Sequence, residues 1–125
     1  MTKPKSNRFK GKVYVLINGG SFSASSILSS NLKGAKRAFF VGEETGGAYN
    51  GCVAGFMPVQ TLPNSKLSVK FGLLVCQAHY KSQMDGRGIF PDVEISPTLM
   101  DRINGIDPEL QWILNDVKAL PQVSK

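Results

Sequence analysis

Serine is the residue type that could carry chemistry in residues 18–25, which read Asn-Gly-Gly-Ser-Phe-Ser-Ala-Ser. A strand, a tight turn and a helix in succession expose a serine at the helix N-terminus. There, free backbone N–H groups and the helix dipole stabilise the oxyanion that forms when a serine hydroxyl attacks a carbonyl. The same residues suit a helix cap formed by Ser21 or Ser23. Spacing alone leaves both readings open and favours the cap, which is the commoner arrangement.

A serine hydroxyl also needs a base to take its proton, and that base needs a partner to orient it. The one histidine, His79, lies on or just after a predicted strand, and we interpret it as structural or exposed. Glu43 and Glu44 are adjacent in an extended segment, so their side chains point opposite ways and do not converge on one substrate atom.

Two cysteines, Cys52 and Cys76, have neither the close spacing nor the flanking histidines of a zinc site. We therefore expect no metal and no other cofactor. Whether the two cysteines form a disulfide stays open, because their separation in sequence does not give the distance between their Cα atoms.

The elements that would position the serine turn begin with the apolar, β-branched run at residues 13–17, which predicts a central parallel strand buried on both faces. Residues 21–32 have helical apolar spacing, and Gly34 is expected to stop that helix. A second apolar run at residues 38–41 precedes a glycine-rich stretch at 42–51, which predicts a loop.

Later segments predict a hairpin and a helix. Residues 56–62 and 67–76 read as two strands joined by a turn at 63–65. Asp107 followed by Pro108 is a strong helix start, and that helix is expected to end near residue 120. Its apolar stripe should pack on the body of the protein; the stripe consists of Leu110, Ile113, Leu114 and Val117.

Composition limits the classes of function. The chain has 125 residues, 42% hydrophobic, which allows one domain or part of one. Its net charge of +6 comes from scattered residues without a nucleic-acid motif, so we expect no nucleic-acid partner. No apolar run approaches the roughly 20 residues of a membrane span, and the basic leader at residues 1–10 does not resemble a secretory signal. We therefore expect a soluble, untargeted chain without membrane insertion.

Three motifs resemble those of the tail-specific (C-terminal processing) serine proteases. Residues 18–27, Asn-Gly-Gly-Ser-Phe-Ser-Ala-Ser-Ser-Ile, resemble the family's nucleophile motif, in which the second serine of a Ser-x-Ser-Ala-Ser run attacks the peptide. Residues 41–45, Val-Gly-Glu-Glu-Thr, and 86–92, Gly-Arg-Gly-Ile-Phe-Pro-Asp, resemble two further motifs in the same order. The resemblance implies that Ser23 is the nucleophile. It also implies that residues 11–125 are the C-terminal part of an α/β catalytic domain, a partial crotonase/Clp-like spiral.

The resemblance extends to a branch of the family. Where many members carry a dyad lysine, this chain has Ala48. Its Glu-Thr-Gly-Gly sequence instead resembles the tricorn-type branch, whose base is a histidine from the N-terminal part of the domain, here expected upstream of Met1. Asp85 best matches the supporting acidic residue of that branch, although glutamate is more usual there. The matching oxyanion donor is the N–H of Ala24.

Other positions receive roles from the same resemblance. The loop at Thr45, Gly46 and Gly47 is expected to contact the substrate, with a plain surface turn as the alternative. Asp92 belongs to the family signature, and we interpret it as holding the chain by side-chain-to-backbone bonds.

The function implied is a serine peptidase that hydrolyses polypeptides through an acyl-enzyme. We expect the isolated chain to be inactive, because its base and a second oxyanion donor would lie upstream. One alternative is a non-catalytic module that binds extended peptides. Another is a structural fragment that completes an enzyme by self-association or by association with an N-terminal half-domain. By resemblance, an intact parent would work in the cell envelope, in the periplasm or outside the cell.

Overall fold

The structure, a computed structural model, describes residues 5–120. Within that range the elements follow in the order β1 (Tyr14–Ile17), α1 (Ala24–Gly34), β2 (Phe39–Gly42), β3 (Gly51–Ala54), β4 (Val59–Thr61), β5 (Ser68–Lys70), β6 (Leu74–Gln77), β7 (Val93–Glu94), α2 (Leu99–Ile103) and α3 (Pro108–Ala119). Residues 1–4 of the predicted basic leader lie outside the described residues, and residues 5–10 belong to no helix or strand.

A parallel sheet has the strand order β1-β2-β7. The prediction that β1 pairs in parallel is confirmed, but the prediction that it is central is wrong. β2 lies in the middle, with Phe40 and Val41 fully buried, whereas Leu16 of β1 is 47% exposed. Among residues 5–120 only β2 pairs with β1, so β1 is an edge strand of the described sheet.

The two faces of this sheet carry different helices, because successive residues of a strand point to opposite sides. On one face Ile17 and Phe40 form the buried core with Ile89, and Leu32 of α1 packs against them. On the other face Phe39 stacks on Trp112 of α3, with ring centroids 5.8 Å apart. Helices therefore flank the parallel strands on both sides, as expected of a mixed α/β fold.

Helix α3 begins and ends as predicted. The carboxylate of Asp107 accepts a hydrogen bond from the N–H of Leu110 at 2.7 Å, and Pro108 occupies the first turn. The predicted docking face is wrong, because three of the four stripe residues are well exposed: Leu110, Leu114 and Val117. The helix docks through Trp112 and through Asp116, which binds Lys12 and Tyr14. These aromatic and charged contacts set its rotation.

Two antiparallel ribbons complete the fold. The predicted hairpin exists as β4 and β5, but the predicted strand at residues 67–76 is interrupted, and its second part, β6, pairs with β3. Strand β3 lies at the end of the predicted glycine-rich loop and was missed. It forms by pairing with β6, which is distant in sequence. Local composition does not reveal such a contact, which is why the strand was missed.

Candidate active site

The turn between β1 and α1 is stabilised by its own polar groups. The N–H of Ser21 donates to the carbonyl of Asn18 at 2.8 Å, and the N–H of Gly20 donates to the Asn18 side chain at 2.9 Å. The hydroxyl of Ser21 accepts from the N–H of Asn18 at 3.2 Å. Asn18 and Ser21 therefore shape the turn, and Ser21 does not act as the cap of α1.

Ser23 occupies the N-cap position of α1 but makes no side-chain cap hydrogen bond. Its backbone has φ +54° and ψ −116°, a region that favours glycine. A non-glycine residue in such a region costs about 1–3 kcal/mol and persists where the surroundings impose it, which is common at functional sites. The cap interpretation fails for Ser23, and its exposed hydroxyl is left for other partners.

A free donor lies next to this hydroxyl. The N–H of Ala24 has no hydrogen-bond partner within residues 5–120. The next donors in the first turn are already engaged: Ser25 N–H donates to the carbonyl of Phe22 at 3.1 Å, and Ile27 N–H donates to that of Ser23 at 3.0 Å. The N–H of Ala24, which directly follows Ser23, is thus free to donate to an oxyanion that develops at the Ser23 hydroxyl.

An apolar cavity of about 480 Å³ opens beside Ser23. It is lined by Ser23, Ala24, Ile27, Leu28, Asn31, Cys52, Ala54 and Cys76. The Sγ of Cys52 lies 3.9 Å from the Oγ of Ser23. Sequence reasoning missed this neighbour, because it depends on the register of β3, a strand that local patterns did not predict.

The loop after β2 packs directly against the serine turn. The N–H of Gly47 donates to the carbonyl of Ser21 at 3.1 Å. A Cβ on Gly46 would lie 2.2 Å from the carbonyl oxygen of Gly19, and one on Gly47 would lie 1.9 Å from the Oγ of Ser26. Only glycine permits this close approach, so the two glycines allow the loop to pack against the serine turn and stabilise it.

Thr45, predicted to contact the substrate, is buried with its hydroxyl fully used. This hydroxyl donates to the carbonyl of Gly47 and accepts from the N–H of Ile89, each at 2.8 Å. The backbone N–H of Thr45 donates to the carbonyl of Ile89 at 3.1 Å. Within this loop Gly46 is the exposed member of the predicted trio, since Gly47 is buried as well.

Charged groups join the second and third sequence motifs. Arg87 donates two hydrogen bonds to the carboxylate of Glu44, at 2.9 and 2.5 Å, and the N–H of Gly88 donates a third at 2.7 Å. The Arg87 bonds, followed by the Gly88 bond, hold the pKa of Glu44 below its ordinary value of 4.5. Glu43 points elsewhere and accepts from Ser96 at 2.7 Å, which confirms that the two carboxylates do not converge.

Asp92 has the structural role predicted for it. Its carboxylate accepts from the N–H of Phe40 at 2.8 Å and pairs with Lys33 of α1. It therefore ties the third motif to both β2 and α1. Together with the Thr45 and Gly47 bonds, this brings all three sequence motifs into one cluster around the serine turn.

Asp85 lines a second cavity, of about 350 Å³, which Cys52 also borders. Its carboxylate is exposed and accepts a long hydrogen bond of 3.5 Å from the Asn50 amide. Asn50 is itself fixed by two bonds with Ser82, at 2.7 and 3.0 Å. Ser23 and Asp85 thus lie on adjoining cavities that share the Cys52 wall, and they do not line a common one.

His79 is exposed, as predicted. Its backbone N–H donates to the side chain of Asn31 at 2.9 Å, and its ring packs edge-on against Tyr80. Neither cavity is lined by His79. Within the described residues the structure therefore brings no histidine to the Ser23 hydroxyl.

Among residues 5–120, no group of three or more acidic, cysteine or histidine side chains is arranged to hold a metal ion. None of the described helices has the length and apolar character of a membrane span.

Comparison with known proteins gives a family and a structural likeness. Residues 1–95 match the model of peptidase family S41. Among solved structures, the crystal structure of the tricorn protease is similar, with a TM-score of 0.55 and 20% sequence identity. The likeness covers 86% of this chain and 10% of that chain, so this chain spans about a tenth of the tricorn protease. At 20% identity the likeness shows a similarity of fold alone. No curated protein sequence matches.

Proposed function

The chain belongs to peptidase family S41, and on that premise we propose that Ser23 is the nucleophile of a serine peptidase acting on polypeptides. The observation that carries this proposal is the state of Ser23. Its hydroxyl is exposed, makes no cap bond, and is held at the start of α1 by a backbone conformation that favours glycine. A serine that served only as a cap would need neither feature.

In the proposed reaction the Oγ of Ser23 attacks the peptide carbonyl as a base removes its proton. The carbonyl oxygen becomes an oxyanion and accepts a hydrogen bond from the N–H of Ala24. The base then gives its proton to the leaving amine, and water hydrolyses the acyl-enzyme in the second half of the reaction. Gly46, the exposed member of its loop, is the proposed contact with substrate from that side.

We assign the base to a histidine outside this sequence, following the resemblance to the tricorn-type branch of the tail-specific proteases. Asp85 is the proposed partner that orients it. The position of Asp85 on a cavity that adjoins the one at Ser23 supports this role, because Cys52 lines both cavities. The parallel strands with helices on both faces suit a partial crotonase/Clp-like domain.

The test uses the parent protein with an unstructured polypeptide as substrate. Ser23→Ala should reduce kcat/KM by at least about a thousandfold, as expected for loss of a nucleophile. Ser25→Ala is the matched control and should retain activity, because the Ser25 hydroxyl donates to the carbonyl of Phe22 and is already occupied. Cleavage that survives Ser23→Ala would contradict the proposal.

The isolated chain provides a second measurement, namely labelling by a fluorophosphonate probe that reacts with activated serines. We expect no labelling of the folded chain, because the proposed base is absent. Labelling confined to Ser23 would place an activating base within residues 1–125. Repeating the experiment with His79→Ala would then decide whether that base is His79.

A second candidate is a non-catalytic peptide-binding module. Strand β1 has one edge that no described strand covers, and extended peptides bind such edges through main-chain hydrogen bonds. Peptide binding that is unchanged in Ser23→Ala, without cleavage by the wild-type parent, would favour this function over catalysis.

A further inference from the structure

The two cysteines of the chain face each other across the β3–β6 ribbon. Cys52 and Cys76 are direct partners in the antiparallel register, and both are free thiols. Directly opposed residues project to the same side of a ribbon. Both side chains accordingly line the same cavity, the one beside Ser23.

The spacing of such partners suits a disulfide. Opposed residues of an antiparallel pair have Cα atoms about 4.5–5.5 Å apart, within the roughly 4.4–6.8 Å that a disulfide spans. Their Cβ atoms lie about 4.5–5.5 Å apart, slightly beyond the about 3.5–4.5 Å of a bonded pair. A small approach of two short strands closes that difference.

We propose that Cys52 and Cys76 are a reversible redox site, which takes small-molecule disulfides such as oxidised glutathione and forms a cross-strand disulfide. The two thiols differ in access, since Cys76 is exposed and Cys52 is half-buried. Cys76 is therefore the thiol that meets the oxidant, and Cys52 is the resolving thiol.

The chemistry is two successive exchanges. The Cys76 thiol loses its proton and attacks one sulfur of the oxidant, whose sulfur–sulfur bond breaks to release one thiol and leave a mixed disulfide. The Cys52 thiol then loses its proton, attacks the Cys76 sulfur, and releases the second small thiol. In total two protons and two electrons pass from the protein to the oxidant, which becomes two thiols.

Pairing acts on the surroundings of Ser23, because the Sγ of Cys52 lies 3.9 Å from the Ser23 Oγ. Once bonded to Cys76, this sulfur can no longer donate to that hydroxyl, and the cavity wall that both cysteines form is tied together. The redox site stands on the register and the shared cavity, whether or not Ser23 is a nucleophile.

The test equilibrates the reduced full chain with buffers of reduced and oxidised glutathione, followed by acid quenching, alkylation and mass spectrometry. The wild-type chain should lose the mass of two hydrogen atoms and give a linked peptide pair containing Cys52 and Cys76. The variant Cys52→Ser should instead keep one glutathione on the exposed Cys76 thiol, and Cys76→Ser, which retains the half-buried Cys52 thiol, should react more slowly. Glutathione retained on wild type, bridges between two chains, or no reaction would each overturn the proposal.

A second measurement tests the effect on the cavity without using peptidase activity. Amide chemical shifts of Ser23 and Ala24 should change between the reduced and oxidised chain, while that of Ser68, in the β4–β5 ribbon, should not. Unchanged chemical shifts at Ser23 and Ala24 in a chain shown to be oxidised would contradict the proposed effect of the disulfide on the surroundings of Ser23. Neither measurement depends on catalysis, so both can still be interpreted if the peptidase proposal fails.

Discussion

Ser23, Thr98 and Asp107 all occupy the residue just before a helix, yet their side chains act differently. Thr98 and Asp107 have extended backbones and accept hydrogen bonds from first-turn N–H groups, at 3.1 and 2.7 Å. Ser23 has a positive φ and accepts none. Backbone conformation, and not residue type, therefore decides whether a hydroxyl caps its helix or stays available for a substrate.

At the same scale, Glu44 should make the stability of the chain depend on pH. Its pKa in the folded chain lies below the ordinary 4.5 because Arg87 and the N–H of Gly88 favour the charged form. Its stabilising contribution is therefore present above the ordinary value and is lost as pH falls through the folded pKa. We expect Glu44→Gln to lower the urea midpoint at neutral pH, and this difference from wild type should shrink below about pH 4.5.

The matched control for this experiment is Glu94→Gln, since Glu94 is exposed and forms no ion pair or side-chain hydrogen bond among residues 5–120. Asp101 and Asp116 also have lowered pKa values, so both proteins will keep some acid sensitivity. The informative quantity is the difference between variant and wild type across the pH range. A constant difference would contradict the role given to the Glu44 charge.

Two predictions about the surroundings of the site are confirmed, for a local reason. The structural role of Asp92 follows from its motif, and the divergence of Glu43 and Glu44 follows from the alternation of an extended chain, so both involve near neighbours. The catalytic role of Ser23 stays a prediction. The proximity of Cys52 to Ser23 and the support of Asp85 by Asn50 were not predicted. Both depend on contacts between segments distant in sequence, namely β3 with the start of α1 and the residue before β3 with the segment after β6. Local sequence patterns do not predict such contacts.

At the scale of elements, helix α3 offers a direct test of which face is docked. Trp112 is half-buried and stacks on Phe39, whereas Leu114 is 48% exposed. We expect Trp112→Ala to lower the free energy of unfolding by about 2–3 kcal/mol, below the cost in a full core. Leu114→Ala should cost less than about 1 kcal/mol.

Urea unfolding should be followed by far-UV circular dichroism, because Trp112 is the only tryptophan and its fluorescence is lost in the variant. Trp112→Phe retains an aromatic face for Phe39 and should recover most of the loss. A larger effect from Leu114→Ala than from Trp112→Ala would restore the docking face that the sequence predicted.

Elements with strong local signals were predicted close to their observed bounds, namely β1, α1 and α3, and the apolar run at residues 38–41 coincides with most of β2. Strand β7 was missed because it has two residues, and β3 was missed because it gains its stability from a partner distant in sequence, β6. The break between β5 and β6 was missed for the same reason. Helix α2 was also missed, although Thr98 and Asp101 form a capping box, a pattern that local sequence can indicate.

The whole molecule exposes more surface than a compact chain of its mass. Its accessible area is 9442 Å², against about 6,600 Å² expected for a folded monomer of 13.6 kDa. Large apolar side chains on the ribbons and on α3 contribute to it, among them Phe56, Val59, Leu67, Val75 and Leu114. Surfaces of this kind mark interfaces, and we propose that this chain associates with another copy or with an N-terminal half-domain.

We therefore expect the weight-average mass in sedimentation experiments to rise with protein concentration. Burial of apolar surface should drive the association, so added sodium chloride should not dissociate the assemblies and should reduce repulsion between chains of charge +6. A chain that stays monomeric at every concentration and binds no apolar dye would contradict this prediction.

The parallel pairing of β2 with β7 has a consequence for the order of folding. Val41 is paired with Val93, and the two ribbons lie between them in sequence. A contact closed over so long a loop loses much chain entropy before it gains any stabilisation, and such pairings form late. During synthesis on a ribosome, the serine turn and α1 would emerge well before the strand that completes their sheet. The nascent chain would thus expose the edge of β2 until β7 is made, and a chaperone that recognises extended apolar segments would have that interval in which to bind.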